Sequence, residues 1–280
     1  MLTAKSLLSG VLAILLGFSS FAVFAGGKFI GTSGATEVEG SGGGGIVPWA
    51  TITGYGTRDE QSSTAFSSYV NSDDTTLWAA GVAHGYKDRV EVSFARQTFE
   101  VKDADTKLSQ NVFGVKVRLF GDLVFTPWPQ VAVGIQHKRN LNAKDIEPLG
   151  VEDTGTDVYL AATKAWLDGP FHRNFVINTT LRYSKANQMG LLGFGGDRSG
   201  YDVLFESSVG LYLNRNWIVG FEYRQKPDNL KSVEEDDWRN AFIAFFPSKH
   251  LTLVAAFMDL GEVGGLDSQS GGYFSIQGTF

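Results

Sequence analysis

The side chains able to do chemistry in this sequence are few, and they are scattered. Four histidines, His84, His137, His172 and His250, and no cysteine occur in 280 residues, so disulfides, thiolate nucleophiles and cysteine-containing metal sites are excluded. None of the histidines stands in a His-x-Ser pattern, Ser67, Ser93, Ser184 and Ser207 have no assignable histidine partner, and no metal-ligand spacing stands out. No catalytic residue, cofactor or metal is therefore expected. Residues 190–197, GLLGFGGD, resemble a phosphate loop in composition. They lack the GK[ST] ending and no helix follows, so a folded loop is the expectation. A net charge of −6 argues against nucleic acid as a partner.

The remaining ionisable residues make a pattern. Arg89, Glu91, Lys116, Arg118, Lys138, Lys164, Arg182, Glu206, Glu222, Arg224, Lys226 and Arg239 recur among alternating apolar positions. Placed on the strand faces opposite Val, Phe and Leu, they would line an interior with nine bases and three acids. Such a lining creates a positive field that favours anions. The rival reading pairs these charges into a network that fills a narrow barrel without a continuous pore, and a slip of one residue inverts any strand.

The elements that must carry these residues are strands. Val90, Val92 and Phe94 alternate with Glu91 and Ser93, and Phe113, Val115, Val117 and Leu119 alternate with Gly114, Lys116 and Arg118, the period of two that a two-faced strand imposes. The same reading predicts twelve strands, near 46–57, 75–86, 89–101, 108–120, 130–139, 157–167, 174–185, 201–213, 216–226, 237–246, 250–260 and 270–280. Long polar connections (58–74, 140–156, 186–200, 227–236 and 261–269, with a shorter member at 102–107) mostly alternate with tight turns. The exception is 121–129, where Pro127 and Pro129 forbid an interior strand. An even strand number, strands of about ten residues and loops long on one side only describe an all-β transmembrane antiparallel barrel of the outer-membrane type. Trp78, Tyr159, Tyr201, Trp238 and Tyr273 at strand openings, and Tyr86, Phe120, Trp166, Phe246 and Phe280 at strand ends, are expected to form two interfacial girdles.

Composition agrees with a membrane body: 43% of residues are hydrophobic and 13% aromatic, with 34 glycines, and only 19% are charged. Residues 1–25 read as a signal peptide, with Lys5 before an apolar run and Val23-Phe24-Ala25 as the cleavage site. A Gly-rich leader over 26–45 precedes the barrel proper at 46–280. The glycines of residues 40–45 would let residues 28–39 either enter the lumen or serve as a periplasmic tether. Acidic clusters at Asp59-Glu60, Asp73-Asp74, Asp145 to Asp153 and Glu234 to Asp237 mark the outer loops. Solvation, or contact with lipopolysaccharide through bridging cations, are the roles open to them.

The last strand alternates Phe274, Ile276, Gly278 and Phe280 with polar residues and ends on Phe, which resembles the terminal signal read by the barrel-assembly machinery. Further runs, GYGTRDE (54–60), SFARQ (93–97), GVKVRLFGD (114–122), ANQMGLLGFGGD (186–197), EYRQKPDN (222–229) and EDDW (235–238), are similar to the bacterial domain of unknown function 3034 family. That resemblance implies an exported, β-rich, barrel-like protein and no catalytic or ligand-binding residue. The expectation is an outer-membrane barrel, in contact with outer-membrane lipid and lipopolysaccharide, acting as a channel for small and preferentially anionic solutes. The alternative is a closed structural or envelope-assembly barrel whose outer loops bind a partner.

Overall fold

The computed structural model describes residues 28–280 except Asp103 and Asp105, so the signal-peptide reading of residues 1–25 lies outside the described residues. Twelve strands close on one another: β3 (Gln61–Ser72), β4 (Thr75–Tyr86), β5 (Val90–Val101), β6 (Thr106–Phe120), β7 (Gln130–Asn140), β8 (Thr154–Trp166), β9 (Phe175–Ser184), β10 (Asp202–Tyr212), β11 (Trp217–Arg224), β12 (Trp238–Ser248), β13 (Leu251–Val263) and β14 (Leu266–Thr279). Each is antiparallel to its sequence neighbour, and β14 returns to β3 through Thr279 opposite Thr64 and Gly271 opposite Ser72. Two short strands, β1 (Ala35–Thr36) and β2 (Gly42–Gly43), pair apart from the barrel. Among the described residues no helix is long and apolar enough to cross a membrane.

The alternation has the sense that distinguishes a membrane barrel from a soluble one. On β6, Phe113 is 53% and Val115 49% exposed, whereas Lys116 between Val115 and Val117 is 1% exposed. On β7, Ile135 faces out and Gln136 and Lys138 face in. Apolar residues outside and amides, hydroxyls and charges inside are what lipid on one face and polar contents on the other select. Stacked rings mark the outward edges: Trp166 on Phe175 and Trp217 on Phe245 at the rim that carries the C-terminus, and Tyr183 on Tyr201 at the opposite, loop-bearing rim. Four expected girdle residues, Tyr159, Trp238, Phe246 and Tyr273, instead point inward and are buried. Their positions share strand parity with the polar lining, and the interior has bulk to fill.

The first strand departs most from expectation. Residues 46–57 are not in the barrel; their place is taken by β3, within the stretch 58–74 expected to be a long loop. The connection 261–269 is likewise mostly strand, reduced to a turn at Gly264-Gly265. The sequence QSSTAFSSYVNS of β3 alternates too, but with serines where a strand search looks for branched residues. Ile46 to Tyr55 has the stronger strand composition, yet it runs through the lumen. Every residue from 33 to 56 is buried.

A lipid-facing wall makes a direct forecast. Phe113→Arg, in the middle of β6, should lower barrel stability in bilayers by about 2–4 kcal/mol, whereas Phe113→Leu should leave the urea midpoint nearly unchanged. Folding titrations into lipid vesicles measure both.

Candidate functional site: the occupied lumen

A chain segment without a sheet partner must find other hydrogen-bond partners for its backbone once it is removed from water. Here the barrel wall supplies them. Lys116 on β6 donates to the carbonyls of Gly42 and Thr51, each at 2.8 Å. Gln97 on β5 donates to Val38 O at 2.8 Å, Gln130 to Ala50 O at 2.8 Å, Thr180 to Pro48 O at 2.8 Å and Arg224 to Ile46 O at 3.0 Å. In the other direction, Glu91 accepts from Gly42 N–H at 3.0 Å and Thr53 N–H at 2.7 Å. Glu222 accepts from Gly45 N–H at 3.0 Å and Ile46 N–H at 3.2 Å, and also from Ser208 and Asn240. A Cβ at position 44 would overlap the Glu222 carboxylate, which could move aside only by giving up its bonds to Gly45, Ile46, Ser208 and Asn240.

Charges bind the segment as well. Glu39 lies 2.7 Å from Arg224 Nη2 and 3.6 Å from Arg182 Nη2, and it pairs with Lys138. Glu37 accepts from Gln136 at 2.6 Å, and its second oxygen has no hydrogen-bond partner. Arg182 also reaches Glu206 at 2.5 Å and Asp157 at 3.4 Å, and Lys138 reaches Asp157 at 2.6 Å. All of these groups are shielded from solvent, so each carboxylate depends on these cations.

Of the twelve residues expected to line the interior, Glu91, Lys116, Lys138, Arg182, Glu206, Glu222 and Arg224 are buried around this segment. Arg118 sits at the C-terminal rim with Asp88, Asp122 and the Gly121 carbonyl. Lys226 sits at the loop rim, hydrogen-bonded to Gln188 at 3.1 Å and above the Trp238 ring. There burial pushes the Glu235 carboxyl up to about 7 and the Lys226 ammonium down to about 8, each partly offset by the other's charge.

Three positions are corrected. Arg89 belongs to the β4–β5 turn, where Lys87 and Asp88 take left-handed φ of 52° and 48°, and its side chain is exposed. Arg239 is exposed on the outward series of β12 because Trp238 points in. Lys164 shares the outward series of β8 with Val158, Leu160 and Trp166 and caps the backbone of residues 124 and 126. In β8 the run Ala161-Ala162-Thr163 hides the register, which also concealed the inward Asp157.

The charge ratio changes with them. The buried acids are Glu37, Glu39, Glu91, Asp157, Glu206 and Glu222 together with the Glu235 carboxylate, and the buried bases are Lys116, Arg118, Lys138, Arg182, Lys185, Arg224 and Lys226, seven bases to seven acids in place of nine to three. The filled lumen therefore carries almost no net field.

The loop rim is folded inward too. Residues 186–191 are buried, with Gln188 and Met189 in left-handed conformations. Met189 O accepts from Gln110 at 3.1 Å and Lys138 at 3.2 Å, and Asn140 donates to Gly190 O and Leu191 O. The last two of these residues, Gly190 and Leu191, open the glycine-rich stretch 190–197 that resembles a phosphate loop in composition.

One serine–histidine pair escaped the sequence because it forms across strands. Ser63 and His84 are register partners with Oγ 2.9 Å from Nδ1, and His84 Nε2 lies 3.2 Å from Gln61 Oε1, all on the outer wall. The Ser63 N–H is committed to Phe280 O at 2.9 Å, as the ladder requires, and so is not free to hold an oxyanion.

An apolar outside, a polar inside and a lumen occupied by its own chain define an outer-membrane-type β-barrel. The chain belongs to the family described as "Protein of unknown function (DUF3034)", whose profile matches residues 32–277. Among solved structures it is similar to the NanC porin (11% identity, TM-score 0.49, 77% of this chain and 98% of that one) and the KdgM porin (8%, 0.48, 78% and 99%). It is also similar to the Acinetobacter baumannii outer membrane protein Omp33 (10%, 0.44, 79% and 97%). At TM-scores below 0.5 these likenesses transfer no solute, activity or partner. Sequence comparison with curated proteins gives no match.

Because Arg182 serves Glu39, Asp157 and Glu206 together, Arg182→Met should destabilise the barrel by up to about 3–5 kcal/mol, since three buried carboxylates then share only Lys138 and Arg224. Adding Glu206→Gln should recover part of that loss. Denaturant midpoints of the two variants against the parent test this.

Proposed function

We propose that this protein is an outer-membrane barrel of the channel type, shut by its own N-terminal segment, through which small solutes pass when residues 34–56 leave the lumen. The observation that carries the reading is the composition of the inner wall. Gln97, Gln110, Gln136, Lys116, Lys138, Asn178, Thr180, Arg182 and Gln277 face inward and are buried. A barrel filled by wall side chains alone would gain nothing from such a lining, since well-packed apolar residues fill an interior at least as stably as buried ion pairs. A wall of this kind is suited to water, and the segment's backbone occupies the positions water would take.

Displacing the segment also removes Glu37 and Glu39. The buried set then holds seven bases against five acids, which supports a modest preference for anions in the open state. The apolar outer wall and the ring stacks at both rims support a site in the outer membrane, and the terminal Phe280 supports delivery by the barrel-assembly machinery.

In planar bilayers the full chain should be silent or open rarely. Gly44→Trp, which cannot seat beside Glu222, should produce stable conductance steps with a reversal potential shifted toward the anion. Silence from a folded, heat-modifiable Gly44→Trp protein would leave the closed structural or envelope-assembly barrel, with its outer loops as the binding surface, as the better reading.

A further inference from the structure

The lumen is closed from both rims, by residues 34–56 from the terminal side and by residues 186–191 from the loop side. The two closures meet on the same wall residues. Gln97 donates to Val38 O at 2.8 Å in the segment; its own Oε1 accepts from Gln110 at 2.5 Å; and Gln110 Nε2 also faces Met189 O at 3.1 Å in the loop. Beside this relay, Lys138 pairs with Glu39 of the segment and donates to Met189 O at 3.2 Å. Val38 and Glu39 are thus each joined to one loop carbonyl through wall side chains. Gln97, Gln110 and Lys138 are completely buried, and Met189 is nearly so.

We propose that the inward loop and the N-terminal segment are a single coupled gate, so that release of either closure loosens the other and an event at the outer loop is relayed to the N-terminus on the far side of the membrane. This rests on the reading of residues 34–56 as a movable closure. The physical reason is that, with both closures seated, the bridging groups are shut away from water and are oriented only by their partners in the segment and the loop. When the segment leaves, Gln97 loses its acceptor and turns, Gln110 loses the oxygen that held it, and Lys138 loses Glu39. The donors that fix Met189 O are then no longer oriented. The loop peptide is held in left-handed conformations at Gln188 and Met189, φ 43° and 60°, which are disfavoured for residues other than glycine and persist only while surrounding contacts impose them. Met189 and Leu191 also share one buried apolar cluster with Val38, Ile46 and Trp49. Linkage makes the effect reciprocal.

The chain has no native cysteine, so single introduced thiols report each closure. Val38→Cys reports the segment and Leu191→Cys the loop, each in the full-length protein with and without Gly44→Trp, read as the rate of reaction with a hydrophilic maleimide. Gly44→Trp should speed labelling at both sites by about 5–150-fold, the span of ordinary coupling energies. Labelling at Cys-substituted position 38 alone, with position 191 as protected as in the parent, would overturn the coupling and leave the movable closure standing. Protection at both positions would overturn both. As a control on the route, Gln97→Leu with Gln110→Leu removes the relay itself, so it should raise labelling at position 191 on its own, and Gly44→Trp added to it should raise that rate by a smaller factor than it does in the parent.

Discussion

Everything inside this barrel follows from one requirement: a backbone drawn out of water must have its N–H and C=O groups paired. The barrel strands meet it among themselves by closing through β14 and β3. The segment 34–56 has the two residue pairs of β1 and β2, a bridge between Gly43 and Pro48 and a few turn bonds within itself, and the wall meets the rest of the requirement with side chains. Lys116, Gln97, Gln130, Thr180, Arg224, Glu91 and Glu222 each bond main-chain atoms of the segment. A wall with apolar inner residues would leave those groups orphaned at about 1–3 kcal/mol apiece, and the segment could not stay.

The same requirement organises the charges. Glu37 and Glu39 are brought into the lumen by the segment, and Arg182, Arg224 and Lys138 meet them there. The acids and bases come from distant parts of the sequence, and the buried acids are not stable in the interior without the bases. Charge pairing of this kind is weak evidence for stability and better suited to positioning, because a shift of the segment by one residue would break several pairs at once. It also explains why an interior that reads as strongly basic from the strands alone is close to neutral when filled.

Much of the fold was legible. Eleven of the expected strands fall on β4 to β14, and the strand count of twelve holds, since strong alternation such as that of Phe113, Val115 and Leu119 survives without tertiary information. The misreadings have one origin. Pattern alone cannot tell a strand bonded to neighbours from an extended segment bonded to side chains, so Ile46 to Tyr55 took the place of the serine-rich β3. Where aromatic residues occur on both faces, as Trp238 and Phe246 do beside Phe245, or where small residues blur the alternation, as at Ala161-Ala162, parity slipped and carried Arg239 and Lys164 to the wrong side.

By itself the sequence determined the class of architecture: an even number of membrane-length strands, apolar on one face and polar on the other, with a family signature along most of the chain. Strand period is a local property, set by backbone geometry within a few residues. Whether the lumen was empty was decided only by the tertiary structure. Occupancy depends on contacts such as Glu39 with Arg224 and Lys116 with Gly42, between residues far apart in the chain, and no local pattern records which distant backbone a side chain will meet.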